Sequence, residues 1–231
     1  MRSIATRDAF VGAATAASVD ASNCTSVAAS RGESLDLAAD STAVARALIG
    51  AVLLVEGVGG RIVETEAYDV EEPASHAYGG LRPHNAALFG PPGRAYVYRS
   101  YGIHWCFNVV CREAGHGAGV LIRALEPTEG LDVMRSRRGL EDLRLLCAGP
   151  GRVGQALGIT CEFDGLPLDR APFELRPSSV PTEVITGVRI GIGKAQELPW
   201  RFGLAGSRFL SRRFADVPLV AASRIRGGAA P

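Results

Sequence analysis

The segment from Arg94 to Val110 constrains the fold most strongly, because two alternating arms flank one possible turn. Tyr96 and Tyr98 alternate with small or apolar residues on the first arm, and the second arm also alternates. Successive side chains of a strand point to opposite faces, so the pattern predicts a β-hairpin that turns at Ser100–Gly102. Gly102 can adopt the positive φ that such a turn needs.

The predicted hairpin, taken as symmetric about Tyr101, has two unlike faces. The apolar face predicts a contact with the core, and the polar, aromatic face predicts the wall of a pocket. Tyr101 lies at the tip, where its own strands cannot bury it, so it needs a cover or a partner. The apolar face consists of Trp105, Phe107 and Val109, and the polar face of Tyr96, Tyr98, His104, Cys106 and Asn108.

The charge of the chain is unevenly distributed, although the formal net charge of +1 makes no general case for nucleic-acid binding. Residues 82–152 contain ten arginines and six acids, whereas residues 56–72 contain six acids and Arg61 alone. A basic segment beside a carboxylate-rich one suits a polyanion groove that holds a catalytic acid. The same numbers of arginines and acids would be found if most of these charges simply lay on a solvated surface.

Cysteine usage and hydropathy narrow the class of protein. The five cysteines form no Cys-x-x-Cys motif, which favours reduced thiols in a cytoplasmic protein. Cys106 and Cys111 differ by five positions, so one strand would point them to opposite faces, which argues against a zinc site. The segment 149–151 lacks the phosphate-loop pattern. We therefore predict no metal, no organic cofactor and, since no apolar run reaches about 20 residues, no membrane span.

The chain divides into a tail, one domain and a second tail. Residues 1–35 are rich in Ala, Ser and Thr and predict a disordered tail, with a cleaved targeting peptide as the alternative. Residues 36–211 show no repeat or linker, and residues 212–231 are predicted as a C-terminal tail. Within the domain the patterns predict helices over 42–49, 83–89, 127–138 and 150–158, strands over 51–55, 61–67, 119–125 and 184–192, and a glycine turn over 57–60.

Two predicted strands carry charges where a core strand would not. Glu64, Glu66 and Tyr68 share one face of the strand over 61–67, so that face must meet solvent or line a site. Arg123 interrupts an apolar strand, and a buried arginine is costly unless it is paired. We therefore expect Arg123 to contact a carboxylate or a phosphate.

These candidates together suit chemistry on a nucleobase. Tyr68, His76 and Tyr98 can form a flat slot for a planar, electron-poor ring, and Glu66 can activate water. An exposed aromatic such as Tyr101, with arginines around it, suits the separation of stacked bases.

Seven runs of the sequence, in order over about Leu37 to Ser211, closely resemble the alkyladenine (methylpurine) DNA glycosylases. The runs are VETEAY (63–68), ASHAYGG (74–80), FGPPG (89–93), YVYRSYG (96–102), CFNVV (106–110), LIRALEP (121–127), and RIGIG with PWRF (189–193 and 199–202). His84 departs from the family pattern, in which we expect an arginine before Asn85, and this puts one DNA or pocket contact in doubt.

The resemblance implies an α+β fold. It would be a single domain with a curved, mainly antiparallel β-sheet, surrounding helices and a protruding β-hairpin that intercalates into DNA. The implied enzyme is a monomer that flips alkylated or deaminated purines out of duplex DNA and hydrolyses the N-glycosidic bond, which initiates base excision repair. Its substrates would be of the 3-methyladenine, 7-methylguanine, hypoxanthine and ethenoadenine class. It would act in the bacterial cytoplasm at the nucleoid, or in a eukaryotic nucleus.

The resemblance also implies a role for each site residue. Glu66 would be the general base that activates water against C1′ of the flipped nucleotide. Arg123 would help to hold that water and the adjacent phosphate, and the backbone carbonyl of Ile190 would contact the water. The remaining roles are a sandwich around the base for Tyr68, His76 and Tyr98, exclusion of guanine for Asn108, and intercalation for Tyr101.

The amine content of the chain predicts a monofunctional enzyme. A glycosylase that also cuts the strand typically forms a Schiff base with an amine. Lys194 is the only lysine, and the first proline is Pro73, so there is no N-terminal proline. We expect Lys194 to be a solvated loop residue and the product to be an uncut strand with an abasic site.

Two other classes of function remain open from the residues. A sugar hydrolase could use Glu64 and Glu66 as a carboxylate pair, although residues i and i+2 of a strand lie side by side rather than across a substrate. A non-catalytic binder of damaged DNA would need Tyr101 but would release no base. Glu64 is otherwise expected to be a structural partner or solvated.

Overall fold

The computed structural model describes residues 34–214, in which eight strands form one curled antiparallel sheet. The strand order is β3-β4-β5-β2-β1-β6, and β8 pairs with β2 and with β7. The strands are β1 (Val52–Val55), β2 (Val58–Tyr68), β3 (Ala95–Ser100), β4 (His104–Cys111), β5 (Ala118–Glu129), β6 (Phe173–Arg176), β7 (Val184–Gly187) and β8 (Arg201–Leu204). The α+β fold and the mainly antiparallel sheet were both predicted.

Short helices cover the sheet. They are α1 (Ser41–Ala47), α2 (Leu131–Arg138), α3 (Leu143–Leu146) and α4 (Pro150–Leu157), with 3-10 helices at Pro83–Phe89 and Cys161–Phe163. Helix α4 packs so closely on β4 that a Cβ atom added at Gly154 would lie 2.1 Å from the carbonyl oxygen of Trp105. The core between these layers contains Leu48, Ile62, Phe107 and Ile122, all fully buried.

Strand β2 is the centre of the sheet and changes partners along its length. One edge pairs with β5 throughout, and the other pairs first with β1 and then, at Glu64–Glu66, with β8. The β2–β5 register shifts twice near this change, so that Val63 and Arg123 have no opposite partner. Such bulges redirect side chains, and this one turns Arg123 towards the glutamates of β2.

Strands β3 and β4 pair antiparallel, with Tyr96 opposite Asn108 and Tyr98 opposite Cys106. This register is centred on Gly102 and not on Tyr101, so the predicted centre is wrong by one residue. Because the shift preserves the alternation, the predicted faces are correct: Phe107 and Val109 enter the core. Tyr101 has a φ of +50° and is 84% exposed.

Several predicted boundaries are wrong. Gly59 and Gly60 pair within β2, so the turn predicted over 57–60 lies instead at Glu56 and Gly57. The helix predicted from Pro127 begins at Leu131, because Pro127 pairs within β5 and Gly130 has a φ of +69°. The strand predicted over 184–192 ends at Gly187, and the four-residue strands β6 and β8 were not predicted.

Most of the two predicted tails lies outside the described residues, so their nature remains a prediction. The structure does describe Ser211 to Phe214, and this segment packs against β8, as set out below. No helix in residues 34–214 is both long enough and apolar enough to cross a membrane.

Candidate active site

A cavity of about 670 Å³ opens where the polar face of β3 and β4 meets the end of β2. Most of the predicted site residues line this cavity: Tyr68, His76, Tyr98, Tyr101, Asn108, Arg123 and Ile190. Glu66 does not line it. Its side chain is fully buried, and three lining residues lie around its carboxylate.

The carboxylate of Glu66 accepts a hydrogen bond from each of these three neighbours. The phenol of Tyr68 and Nη1 of Arg123 donate to Oε2 over 2.9 and 3.1 Å. The backbone N–H of Ile190 donates to Oε1 over 2.7 Å. The resemblance implies a contact of the Ile190 carbonyl with the catalytic water, which stays a prediction; the bond of the Ile190 amide to Glu66 is a separate contact.

Glu66 keeps one acceptor position for a further donor. An ionised carboxylate accepts about four hydrogen bonds, and the described residues supply three, of which only one reaches Oε1. Burial raises the pKa of Glu66 above its ordinary value, while the charge of Arg123 and the amide of Ile190 oppose this rise. A carboxylate with a raised pKa and a free acceptor position is suited to take a proton from water.

The aromatic slot has one wall built from His76, Tyr96 and Tyr98. The rings of His76 and Tyr98 meet edge to face at 4.4 Å between centroids, and Tyr96 stacks on Tyr98 at 5.6 Å. Nδ1 of His76 lies 2.9 Å from the phenol oxygen of Tyr96, which fixes the imidazole ring. Partial burial, and to a lesser degree the charge of His84, lowers the pKa of His76, which favours a neutral ring at neutral pH.

Tyr68 is held by a buried arginine that the sequence analysis did not single out. The Arg189 guanidinium lies 4.7 Å from the centre of the Tyr68 ring and forms two 2.8 Å bonds to Glu72. Burial and the neighbouring Glu66 raise the pKa of Tyr68, which keeps the phenol protonated as a donor. Arg189 lies in the RIGIG run. An arginine between apolar residues was the sequence signal that could have identified it, because such an arginine needs a partner if it is buried.

Asn108 is oriented before any ligand binds. Its Nδ2 donates to the carbonyl of Tyr96 over 3.0 Å, and the residue is only 5% exposed. Gly119, on the adjacent strand, lies against Leu88, where an added Cβ would come within 2.8 Å of Cδ1. Both Gly119 and Leu88 line the cavity, which is therefore shaped by backbone as much as by side chains.

Arg123 bridges the two glutamates of β2, as its place in an apolar strand predicted. Its Nε donates to Glu64 over 3.0 Å and its Nη1 to Glu66 over 3.1 Å. Glu64 is fully buried, and its other partners, Arg201 and Ser211, do not line the cavity. It is thus a structural partner, which was one of the two expectations for this residue.

The rim of the cavity is basic and exposed. Lys194, expected to be solvated, is exposed but also lines both the cavity and an adjoining groove. Arg82, His84 and Arg99 line the same groove, so His84 lies in a basic surface beside His76. Within residues 34–214 no cluster of three His, Cys, Asp or Glu side chains could hold a metal ion.

Known proteins of one family are similar to this chain over most of its length. The family model for methylpurine-DNA glycosylase matches residues 36–208. A protein of Nitrosospira multiformis is 65% identical over 187 residues, which cover 81% of this chain and 97% of the relative. Relatives from Rhodopseudomonas palustris BisB18 (62% identical, 75% and 86% covered) and Rhizobium meliloti (58%, 74% and 91%) share its printed name, "Putative 3-methyladenine DNA glycosylase". The chain belongs to the methylpurine-DNA glycosylase family.

Proposed function

We propose that this protein is a monofunctional DNA glycosylase for alkylated and deaminated purines, with Glu66 as its general base. The observation that carries the proposal is the buried carboxylate of Glu66, held by three lining residues at the back of an aromatic cavity. The substrate class is that of 3-methyladenine, 7-methylguanine, hypoxanthine and ethenoadenine in duplex DNA.

The damaged nucleotide leaves the duplex before it reacts. Tyr101, exposed at the turn between β3 and β4, enters the space that the nucleotide vacates. The rim arginines and Lys194 attract the phosphates on either side. Damaged bases pair and stack less well, so their extrusion costs less of the few kcal/mol that flipping requires.

The slot then selects the ring by charge and by shape. A purine alkylated at a ring nitrogen carries positive charge, which strengthens its attraction to the faces of Tyr68, His76 and Tyr98. The same charge weakens the glycosidic bond. Asn108, fixed by the carbonyl of Tyr96, crowds the exocyclic amino group of normal guanine and so discriminates against it.

Hydrolysis follows at C1′ of the sugar. A water bound at the free position of Glu66 Oε1 gives its proton to the carboxylate, and its oxygen forms a bond to C1′. The N-glycosidic bond breaks, and the base leaves with the bonding electron pair. Positive charge develops on the sugar as the bond breaks, so the ionised Glu66 and its fixed surroundings stabilise the transition state.

The product would be a free base and an intact strand with an abasic site. Strand cleavage by a glycosylase requires an amine that attacks C1′, and Lys194 is the only lysine of the chain. Lys194 lies at the cavity rim, where we assign it to phosphate contact. The enzyme acts as a monomer on duplex DNA, in the bacterial cytoplasm.

Two alternatives have less support. A sugar hydrolase with Glu64 and Glu66 as a pair requires both carboxylates to reach the substrate, but Glu64 is held by Arg201 and Ser211, which do not line the cavity. A non-catalytic binder of damaged DNA would have no use for a base with a raised pKa and a free acceptor position behind its pocket.

The test is single-turnover release of hypoxanthine and 3-methyladenine from duplex DNA by the wild type and by Glu66→Gln. We expect release by the wild type, strand breaks only after alkali, and a loss of about 10³-fold or more in the variant. Binding without release by the wild type would favour the DNA-binding alternative. Breaks without alkali would contradict the monofunctional assignment.

A further inference from the structure

Glu64 is enclosed by four donors. Its carboxylate accepts from Nε of Arg123 over 3.0 Å and from Nε of Arg201 over 2.8 Å. Ser211 adds its backbone N–H at 2.5 Å and its hydroxyl at 2.7 Å. Three of these donors reach Oε1 and the N–H of Ser211 reaches Oε2, so the carboxylate of Glu64 is held at both oxygens.

This arrangement fixes Arg123 at two points. The guanidinium is planar, so a bond from Nε to Glu64 and a bond from Nη1 to Glu66 together set both its position and its tilt. Arg123 also stands at the bulge of β5, where the regular ladder does not constrain it. Glu64 therefore supplies the second fixed point that the backbone lacks there.

The segment Ser211–Phe214 contacts both Glu64 and its partner Arg201. Arg201 donates from Nη2 to the carbonyl of Arg212 over 2.6 Å, and its guanidinium lies 3.8 Å from the centre of the Phe214 ring. The ring rests on the glycines of β7 and β8, since a Cβ added at Gly203 would come within 2.5 Å of it. This segment begins 147 residues after Glu64 in the sequence, yet it donates two of the four bonds to the Glu64 carboxylate.

We propose that Glu64, seated by the Ser211–Phe214 segment, is a positioning residue that holds Arg123 against the general base. Arg123 touches Glu66 and lines the cavity, whereas Glu64 acts only through Arg123. The proposal rests on the function proposed above and adds to it a group outside the pocket that sets the rate of the chemical step.

The first test separates binding from chemistry in Glu64→Gln. We expect the single-turnover release rate to fall by about 10- to 100-fold, because a displaced Arg123 misaligns the base. Affinity for lesion-containing duplex should change by less than about threefold, since Tyr68, His76 and Tyr98, which would hold the base, keep their places. The matched control is Glu126→Gln on β5, which removes a glutamate paired with Arg61 away from the cavity and should release at the wild-type rate.

The second test asks whether Glu64 acts through Arg123. In an Arg123→Met background, Glu64→Gln should cause little further loss of rate, because the residue that it positions is already gone. Losses that multiply in the double variant would mean an independent or purely structural role, and would overturn the proposal. So would a folded Glu64→Gln with the wild-type rate.

A milder variant keeps the proposal open to refutation if Glu64→Gln does not fold. Ser211→Ala removes one donor and leaves the backbone N–H, so the rate should fall about two- to fivefold with unchanged affinity. If Glu64→Gln is unfolded, an unaltered rate in Ser211→Ala overturns the proposal. The two proposals also fail separately: a wild type that releases no base refutes the enzyme, whereas an inactive Glu66→Gln beside a fully active Glu64→Gln refutes only the positioning role.

Discussion

Glu64 and Glu66 stand two residues apart on β2, both fully buried and both bonded to Arg123, yet their surroundings differ. Glu64 is met by two arginines and by Ser211, and it is closed off from the cavity. Glu66 is met by one arginine, a phenol and an amide, all from residues that line the cavity.

The difference shows how one strand can carry a structural and a reactive carboxylate. Glu64 is bonded to two buried arginines and to Ser211, which suits a structural role. Burial raises the pKa of Glu66, which Arg123 and the amide of Ile190 only partly oppose, and three donors leave its carboxylate one free acceptor position. Its place beside a cavity then makes it the candidate base, and the comparison can be tested one property at a time.

The largest expected effect is on stability, and it should separate the two glutamates. Glu64→Gln leaves two buried arginines short of a carboxylate, which we expect to lower the free energy of unfolding by about 3 kcal/mol or more. For a domain of this size that corresponds to a fall in Tm of roughly 6–12 °C. Glu66→Gln should cost clearly less, because burial already disfavours its charge. Thermal unfolding of both variants measures this, and the reverse order would contradict the comparison.

A smaller effect is expected at Gly203, which lies opposite Glu64 in the β2–β8 register. In Gly203→Ala the new Cβ would displace the Phe214 ring, so we expect a loss of about 1–2 kcal/mol in the free energy of unfolding and a slower release of base. Gly193→Ala is the control for unfolding alone, because no atom lies within 4 Å of its added Cβ but Gly193 lines the cavity. Equal unfolding curves for the two variants, or a wild-type release rate in Gly203→Ala, would mean that the Phe214 contact does not support the site.

Tyr101 differs from the two buried glutamates because its side chain is exposed to solvent. Because the side chain is 84% exposed, Tyr101→Ala should leave Tm unchanged. Loss of its stacking contact should weaken binding to lesion-containing duplex about tenfold. Equilibrium binding and thermal unfolding on the same samples check both parts, and full affinity in the variant would remove Tyr101 from the interface.

The smallest expected effect is at Lys194. Lys194→Ala removes one rim charge, so we expect the release rate at moderate salt to change by less than about threefold. Neither the variant nor the wild type should break the strand before alkali is added. Breaks made by the wild type and absent from the variant would show instead that Lys194 forms a Schiff base.

Much of the fold was predictable because alternation survives small errors of register. The faces of β3 and β4 were correct although the centre of the turn was misplaced. Moving the centre by one residue moves each cross-strand partner by two positions, so every side chain stays on the same face. The four-residue strands β6 and β8 were missed because they are too short to show a period and gain their partners from distant segments.

The residues that line the pocket were more predictable than the contacts that hold Glu64. Tyr68, His76, Tyr98 and Asn108 belong to runs whose residue types already suit a base-binding slot, and the structure brings them to one cavity. The enclosure of Glu64 was not predictable in this way. It depends on a bulge at Arg123 and on Ser211, whose contact with Glu64 joins residues that are far apart in sequence.

The measurement that tests the central claim most directly is the pH dependence of single-turnover base release. The ionised form of Glu66 is the active form, and burial raises its pKa, so release should fall on the acidic side at a pH above the ordinary glutamate value of about 4.3. His76 is a second ionisable group at the cavity, and burial lowers its pKa, so His76→Gln is the control. We predict that this acidic fall persists in His76→Gln and is absent from the residual activity of Glu66→Gln. An acidic fall that remains in Glu66→Gln, or disappears in His76→Gln, would contradict the assignment of Glu66 as the base.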